Sequence, residues 1–165
     1  MNRPKNRSLR ILAVDPGYDR LGIAVLEGDP SKPTLIMSDC VTPEKGVREM
    51  RLSVVFSSIQ NAIKEHAPDV LALETLFFSV NKKTAIGVAE ARGAILAAAG
   101  LADIPVREFS PQQVKIAVTG YGASDKKGVA LMVPRLITLP PKKRLDDELD
   151  AIAIGIAALA AGRLS

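Results

Sequence analysis

The stretch ILAVDPGYDRLGIAV (residues 11–25) places two branched-aliphatic runs on either side of an acid, a proline and a glycine. Short apolar runs separated by a turn-rich PGYDRL read as adjacent antiparallel strands. The first strand stops on Asp15, and a carboxylate at the end of a buried element is costly unless something compensates its charge. Working outward, TLIMSDCV (34–41) is a third strand after the DPSKP loop. Thr42 and Pro43 have the character of an N-cap and first helical residue, opening a long helix that reaches about His66 and is stopped by Pro68. His66, the sole histidine, falls near that helix end and reads as a surface residue.

DVLALE (69–74) repeats the opening pattern, an apolar run that again ends on an acid, Glu74. Asn81 is placed to cap a helix running through TAIGVAEARGAILAAA to Gly100, and PVREF (105–109) is a last short strand. Ser110 and Pro111 open a helix over PQQVKIAV that breaks at TGYGAS. A further helix, DKKGVALMVPRLITL, is expected to be interrupted or kinked at Pro134. The PPKKR loop then leads into the terminal helix DDELDAIAIGIAALAAG, with Leu149, Ile152, Ala153, Ile156 and Leu159 on a shared face. Hairpins first and crossovers later predict an α/β fold with a five-stranded mixed sheet and helices on both faces.

Composition bounds the rest. At 165 residues, 47% apolar and 24% charged, the chain suits one globular domain over 1–165, with residues 1–8 expected to be flexible. Cys40 is the sole cysteine, which excludes an internal disulfide and a thiolate zinc site. No apolar run is long enough for a membrane span or a signal peptide, so a cytoplasmic protein is expected. The net charge is +4; if four of the 18 acids gather at one site, 22 basic residues face 14 acids elsewhere, a surface suited to a polyanion.

A sheet that sets the strand from residue 69 beside the strand from residue 11 brings Asp15 and Glu74 to one edge. The last helix adds Asp146, Asp147 and Asp150, where 147 and 150 are spaced i,i+3 and 146 and 150 i,i+4; periodicity alone does not choose between the pairs. Singly, such acids are ordinary turn formers or helix-dipole partners. Together, carboxylates within about 4 Å repel by roughly 4 kcal/mol per pair at an effective dielectric near 20, so the cluster must take up protons or cations. Oxygen-only ligands select hard ions, Mg²⁺ or Mn²⁺, and two such ions about 4 Å apart suit phosphodiester hydrolysis.

The pieces AVDPGYDRLGIAV, LALETLFFSVN, AEARGAI, QQVK, TGYGASDKKGV and LDDELDAIAI, in this order from about Leu12 to Ala158, resemble the RuvC-type Holliday-junction resolvases, dimeric nucleases of the RNase H-like fold. The resemblance implies a homodimer that binds a four-way DNA junction and cuts two strands of like polarity with Mg²⁺, two ions per site, for which Mn²⁺ can substitute. It puts the catalytic, metal-holding acids at Asp15, Glu74, Asp147 and Asp150, leaving Asp146 as an outer neighbour or a helix cap. It puts the family's lysines at Lys115 and Lys126 and its wedge aromatic at Phe77. Phe78 beside it, with Lys82, Lys83, Arg92, Lys127 and the PPKKR group, is expected to meet DNA or line the backbone track. A branch-migration helicase complex is a further expected partner, and the helix around AEARGAILAAAG the expected dimer surface.

Three other readings compete with this one. Small nucleases that trim ribosomal RNA precursors share a DPG-x-x-x-x-G opening but lack the ETLFF to ARG segment. Actin-like ATP-binding proteins need two domains, and no P-loop or strand-linked dinucleotide motif is present. A module that binds branched DNA without cutting it is expected to have lost one of the acids, and here all four positions are acidic.

Overall fold

The computed structural model describes residues 8–75 and 82–162, the side chains of 82–84 excepted. The N-terminal segment up to residue 7 and the expected cap Asn81 lie outside the described residues. In chain order the elements are β1 (Arg10–Asp15), β2 (Leu21–Asp29), β3 (Lys32–Val41), α1 (Arg48–His66), β4 (Val70–Glu74), α2 (Lys82–Leu101), β5 (Val106–Phe109), α3 (Pro111–Thr119), α4 (Lys126–Leu136) and α5 (Asp146–Ala160). One sheet forms, in the order β3-β2-β1-β4-β5. β1 pairs antiparallel with β2 and parallel with β4, and β4 pairs parallel with β5, giving the mixed sheet that the sequence predicts.

The two-residue side-chain period divides each central strand between two cores. Ile11, Ala13, Ala24, Leu26, Val70 and Ala72 face α3, α4 and α5. Leu12, Val14, Ile23, Val25, Leu71 and Leu73 face α1 and α2. With both faces covered, the strands carry nearly unbroken apolar runs, and a polar residue appears only where a strand leaves the core.

Three local expectations change. α1 starts at Arg48 behind Val47, which gives no side-chain cap, instead of at Thr42. Pro43 is buried, so it packs inward, and the helix begins only after Gly46. α4 passes through Pro134 and ends two residues beyond it, the Ile137 amide donating to the Val133 carbonyl; proline near a C-terminus forfeits little of the ladder. α5 is buried on every side from Ala151 to Leu159, not along one stripe, because it lies across β1 and β2 beneath α3 and α4.

α5 is set against the sheet by two contacts near its start. Gly22, the register partner of Asp15, lies so near the helix that a Cβ there would fall 1.9 Å from the Asp147 carbonyl oxygen. One residue further on, the buried Glu148 carboxylate accepts from the Ser38 hydroxyl on β3 and meets Lys142 Nζ at 2.7 Å and Arg144 Nε at 3.2 Å. Lys142 also donates to the Ser38 carbonyl, and Arg144 to the Pro140 carbonyl. The PPKKR cations Lys142 and Arg144 are thereby paired with an internal carboxylate.

Gly22→Ala is expected to destabilise the fold by about 1–3 kcal/mol, because the added methyl meets main chain that cannot turn aside. The urea midpoint, at unchanged slope, measures it; an unchanged midpoint would show that the helix approach is loose. Glu148→Ala strands the buried Arg144 guanidinium, whose side chain is 7% exposed, and is expected to cost about 3–5 kcal/mol. A loss below about 1 kcal/mol in the same measurement would assign the network no more than the weight of a surface pair.

Candidate active site

Parallel pairing of Val14 with Leu73 sets the next residues, Asp15 and Glu74, side by side at the end of the sheet. The backbone after Glu74 is fixed by the Thr75 amide donating to the Phe109 carbonyl at 2.9 Å and by Arg92 Nη1 donating to the Glu74 carbonyl at 2.8 Å. Arg92 is also ion-paired with Glu108 and its side chain is 13% exposed. In the protein by itself it supports the backbone beneath Glu74.

α5 brings Asp147 and Asp150 over this edge from the β2 side. The four acids feel one another: burial first, then the charges of Asp150, Glu74 and Asp147, push the Asp15 carboxyl from 3.8 up to about 8, with Lys126 pulling the other way. Glu74 is also raised, by burial and then by Asp150, against the pull of Lys126 and Lys115. The i,i+3 pair is the one that joins the cluster. Asp146 stands exposed as the first residue of α5, 3.8 Å from Lys126, and makes no cap bond, since Leu145 occupies the N-cap.

Two of the acids have cations against them. Lys126, the first residue of α4 after the Asp125 cap, lies 2.9 Å from Asp150. Desolvation disfavours its charge, but the hydrogen bond and charge of Asp150, with Asp146 and Asp15 behind, outweigh it and hold the ammonium above its usual range. Arg20 Nε lies 3.0 Å from Asp147 Oδ2. Glu74, Asp150, Lys115 and Lys126 share a cavity of about 210 Å³ whose apolar floor is Val114, Val129, Ala153 and Ile154. Lys115 projects from α3, whose Ser110–Gln113 capping box fixes its start as the sequence predicts.

No group of three or more His, Cys, Asp or Glu side chains among the described residues stands in a ready coordinating arrangement. The chemistry of the donors nevertheless fits a hard divalent cation. All are carboxylates, two hold protons above their ordinary range, and Asp147 Oδ2 is buried without a hydrogen-bond donor among the described residues. As the side chains stand, one oxygen of Asp147 and one of Asp150 face Arg20 and Lys126.

Of the remaining expected site residues, Lys127 is exposed on α4. Phe77, Phe78 and the side chains of Lys82 and Lys83 lie outside the described residues. His66, expected at the surface, is largely covered, with a side chain 15% exposed and a carbonyl that accepts from Arg10. Sequence reasoning missed Arg20 and the Glu148 network. Only the i,i+4 spacing of Arg144 and Glu148 offered a signal; Arg20 lies in a loop whose geometry no periodicity predicts.

The opening loop that carries Arg20 is rigid. A Cβ at Gly17 would lie 2.0 Å from the Arg20 carbonyl oxygen, so the turn closes only with glycine there. Arg51 stacks 4.1 Å from the Tyr18 ring centroid and donates to the Tyr18 carbonyl and the Asp19 carboxylate.

A family model described as crossover junction endodeoxyribonuclease RuvC matches residues 11–158. A relative of the same description from Thermosipho melanesiensis is 45% identical over 147 residues, covering 88% of this chain and 94% of its own. Another from Syntrophomonas wolfei is 39% identical over 158 residues, covering 95% and 92%. Two solved structures of Thermus thermophilus RuvC align at TM-scores of 0.83 and 0.86 with 31% and 30% identity, the second in complex with a Holliday junction substrate. Each covers 93% of this chain and at least 94% of the other, and this likeness bears out the RNase H-like α/β architecture. By family model, by relatives and by structure alike, the chain belongs to the RuvC family of crossover junction endodeoxyribonucleases.

Proposed function

We propose that this endonuclease resolves four-way DNA junctions, in recombination and repair, by paired symmetric cuts in strands of like polarity, using Mg²⁺ held by Asp15, Glu74, Asp147 and Asp150. The observation that carries this reading is the convergence of four mutually repelling carboxylates from three chain segments, two of which, Glu74 and Asp150, line a cavity together with Lys115 and Lys126. When bound, two Mg²⁺, or Mn²⁺ in their place, supply activation of water and stabilisation of the leaving oxygen. The superposition on Thermus RuvC in complex with a Holliday junction substrate supports the substrate.

The chain's own residues supply the rest. Lys115 and Lys126 hold oxygens of the scissile phosphate and offset charge that grows in the transition state. Lys127 takes a neighbouring phosphate, as do Lys82 and Lys83, while Phe77, with Phe78 beside it, wedges against unpaired bases. Two cuts on a near two-fold junction call for two sites related by a C2 axis, hence a homodimer. Exposed Ile86 and Leu101 on α2 support that helix as the pairing surface. Junction resolution fits work in the cytoplasm beside a branch-migration helicase complex.

A labelled mobile four-way junction, a linear duplex and a structured RNA, each with and without Mg²⁺, provide the test. Paired nicks in the junction alone are expected; cleavage of the RNA would favour a precursor-trimming nuclease. Asp15→Asn is expected to slow cutting by at least about a hundredfold while junction affinity stays within a few-fold. Equal loss of both would make Asp15 a structural acid.

The same cluster predicts a pH profile for the metal-free protein. Folded Asp15 keeps its proton up to about 8, whereas the unfolded chain releases it near 3.8, so the folded state binds more protons across that interval and stability falls as pH rises through it. Glu74 acts in the same direction. Melting in EDTA is expected to drop steadily from about pH 5 to 8, less so in Asp15→Asn or with Mg²⁺. A profile that is no steeper in the unsubstituted protein than in Asp15→Asn would contradict the shared burial of these charges.

A further inference from the structure

Asp147 takes its cation from the β1–β2 loop, and the contact has an unusual form. Arg20 Nε is 3.0 Å from Asp147 Oδ2, yet that oxygen is buried and accepts no hydrogen bond among the described residues. Charge alone holds the pair, without the directional bond that Lys126 makes to Asp150. A buried carboxylate oxygen with no donor is incompletely satisfied, and a cation reaching it would gain what the guanidinium does not give.

Arg20 is also free to leave. Its side chain is 47% exposed, against 21% for Asp147, so the guanidinium can turn to water with little loss. The loop beneath it stays put, since Gly17, Tyr18 and Asp19 are fixed by the close turn and by Arg51. Only a side chain has to move. The closeness of Gly22 to the Asp147 carbonyl likewise keeps the helix backbone in place while the carboxylate is exchanged from one cation to another.

We propose that Arg20 is the resident counter-ion of Asp147, a positioning residue that neutralises this acid in the metal-free protein and is displaced when a divalent cation binds, so that it sets the metal concentration at which the site loads. The inference rests on the metal site proposed above. Arg20 lowers the repulsion within the acid cluster while no metal is present, and every cation that binds at Asp147 must first break this pair.

The test compares wild type, Arg20→Gln and Asp147→Asn as full-length, DNA-free protein by calorimetric titration with MgCl₂ and by melting with and without Mg²⁺. Arg20→Gln is expected to bind Mg²⁺ about three- to five-fold more tightly, the scale of a half-exposed ion pair. It is also expected to melt below wild type in EDTA and to gain more from Mg²⁺ than wild type does. An affinity equal to or weaker than wild type overturns the proposal. So does a melting deficit of the same size with and without Mg²⁺, which would make Arg20 a structural residue only. If wild type takes up no Mg²⁺, or Asp147→Asn takes it up equally well, the metal-site reading itself fails and this inference with it.

Discussion

Mutual repulsion among Asp15, Glu74, Asp147 and Asp150 is the constraint around which the rest of the molecule is arranged. Two of these acids leave parallel neighbouring strands and two stand on the first two turns of a helix packed across them, so the backbone fixes their convergence before any side chain responds. The repulsion is relieved in two ways. On the strand side, where burial dominates, Asp15 and Glu74 hold their protons above the ordinary carboxylate range. On the helix side, Lys126 and Arg20 approach Asp150 and Asp147. Both responses are reversible, since a proton and an exposed side-chain cation can each give way to another charge.

Holding such a cluster together takes rigid support, and the support comes from close backbone approach as much as from apolar burial. Gly22 allows the Asp147 main chain to rest on β2, and Gly17 lets the loop turn tightly beneath Arg20. Arg92 spends its guanidinium on the Glu74 carbonyl and on Glu108, holding the strand end where the parallel ladder stops. Arginine side chains near the core thus serve the scaffold, because a buried carbonyl or carboxylate needs a donor.

What was legible in the sequence follows from period and punctuation. ILAVD and DVLALE announce buried strands, their terminal acids mark one sheet edge, and the order of hairpin then crossovers fixes how those strands pair. The start of α3 was legible because Ser110, Pro111 and Gln113 form a local capping unit. The start of α1 was not, because Pro43 is buried instead of opening the helix. The all-round burial of α5 was hidden for the same reason: Ala and Gly beside the apparent stripe read as neutral, yet Gly155 lies so close to Leu26 that a Cβ would meet its side chain at 2.4 Å.

The consecutive acids of α5 show why composition could not assign the charges. Each residue advances about 100° around a helix, so Asp147 and Asp150 share one face while Glu148 points elsewhere. Glu148 finds Ser38, Lys142 and Arg144 on the β3 side and is fully neutralised there. Its charge is therefore satisfied within the protein, whereas that of Asp147, one residue earlier, meets a half-exposed arginine and, among the described residues, keeps a buried oxygen without a donor. Adjacent acids on one helical turn thus take opposite parts. One fastens the helix to the sheet, and the other is left open enough for a cation to claim.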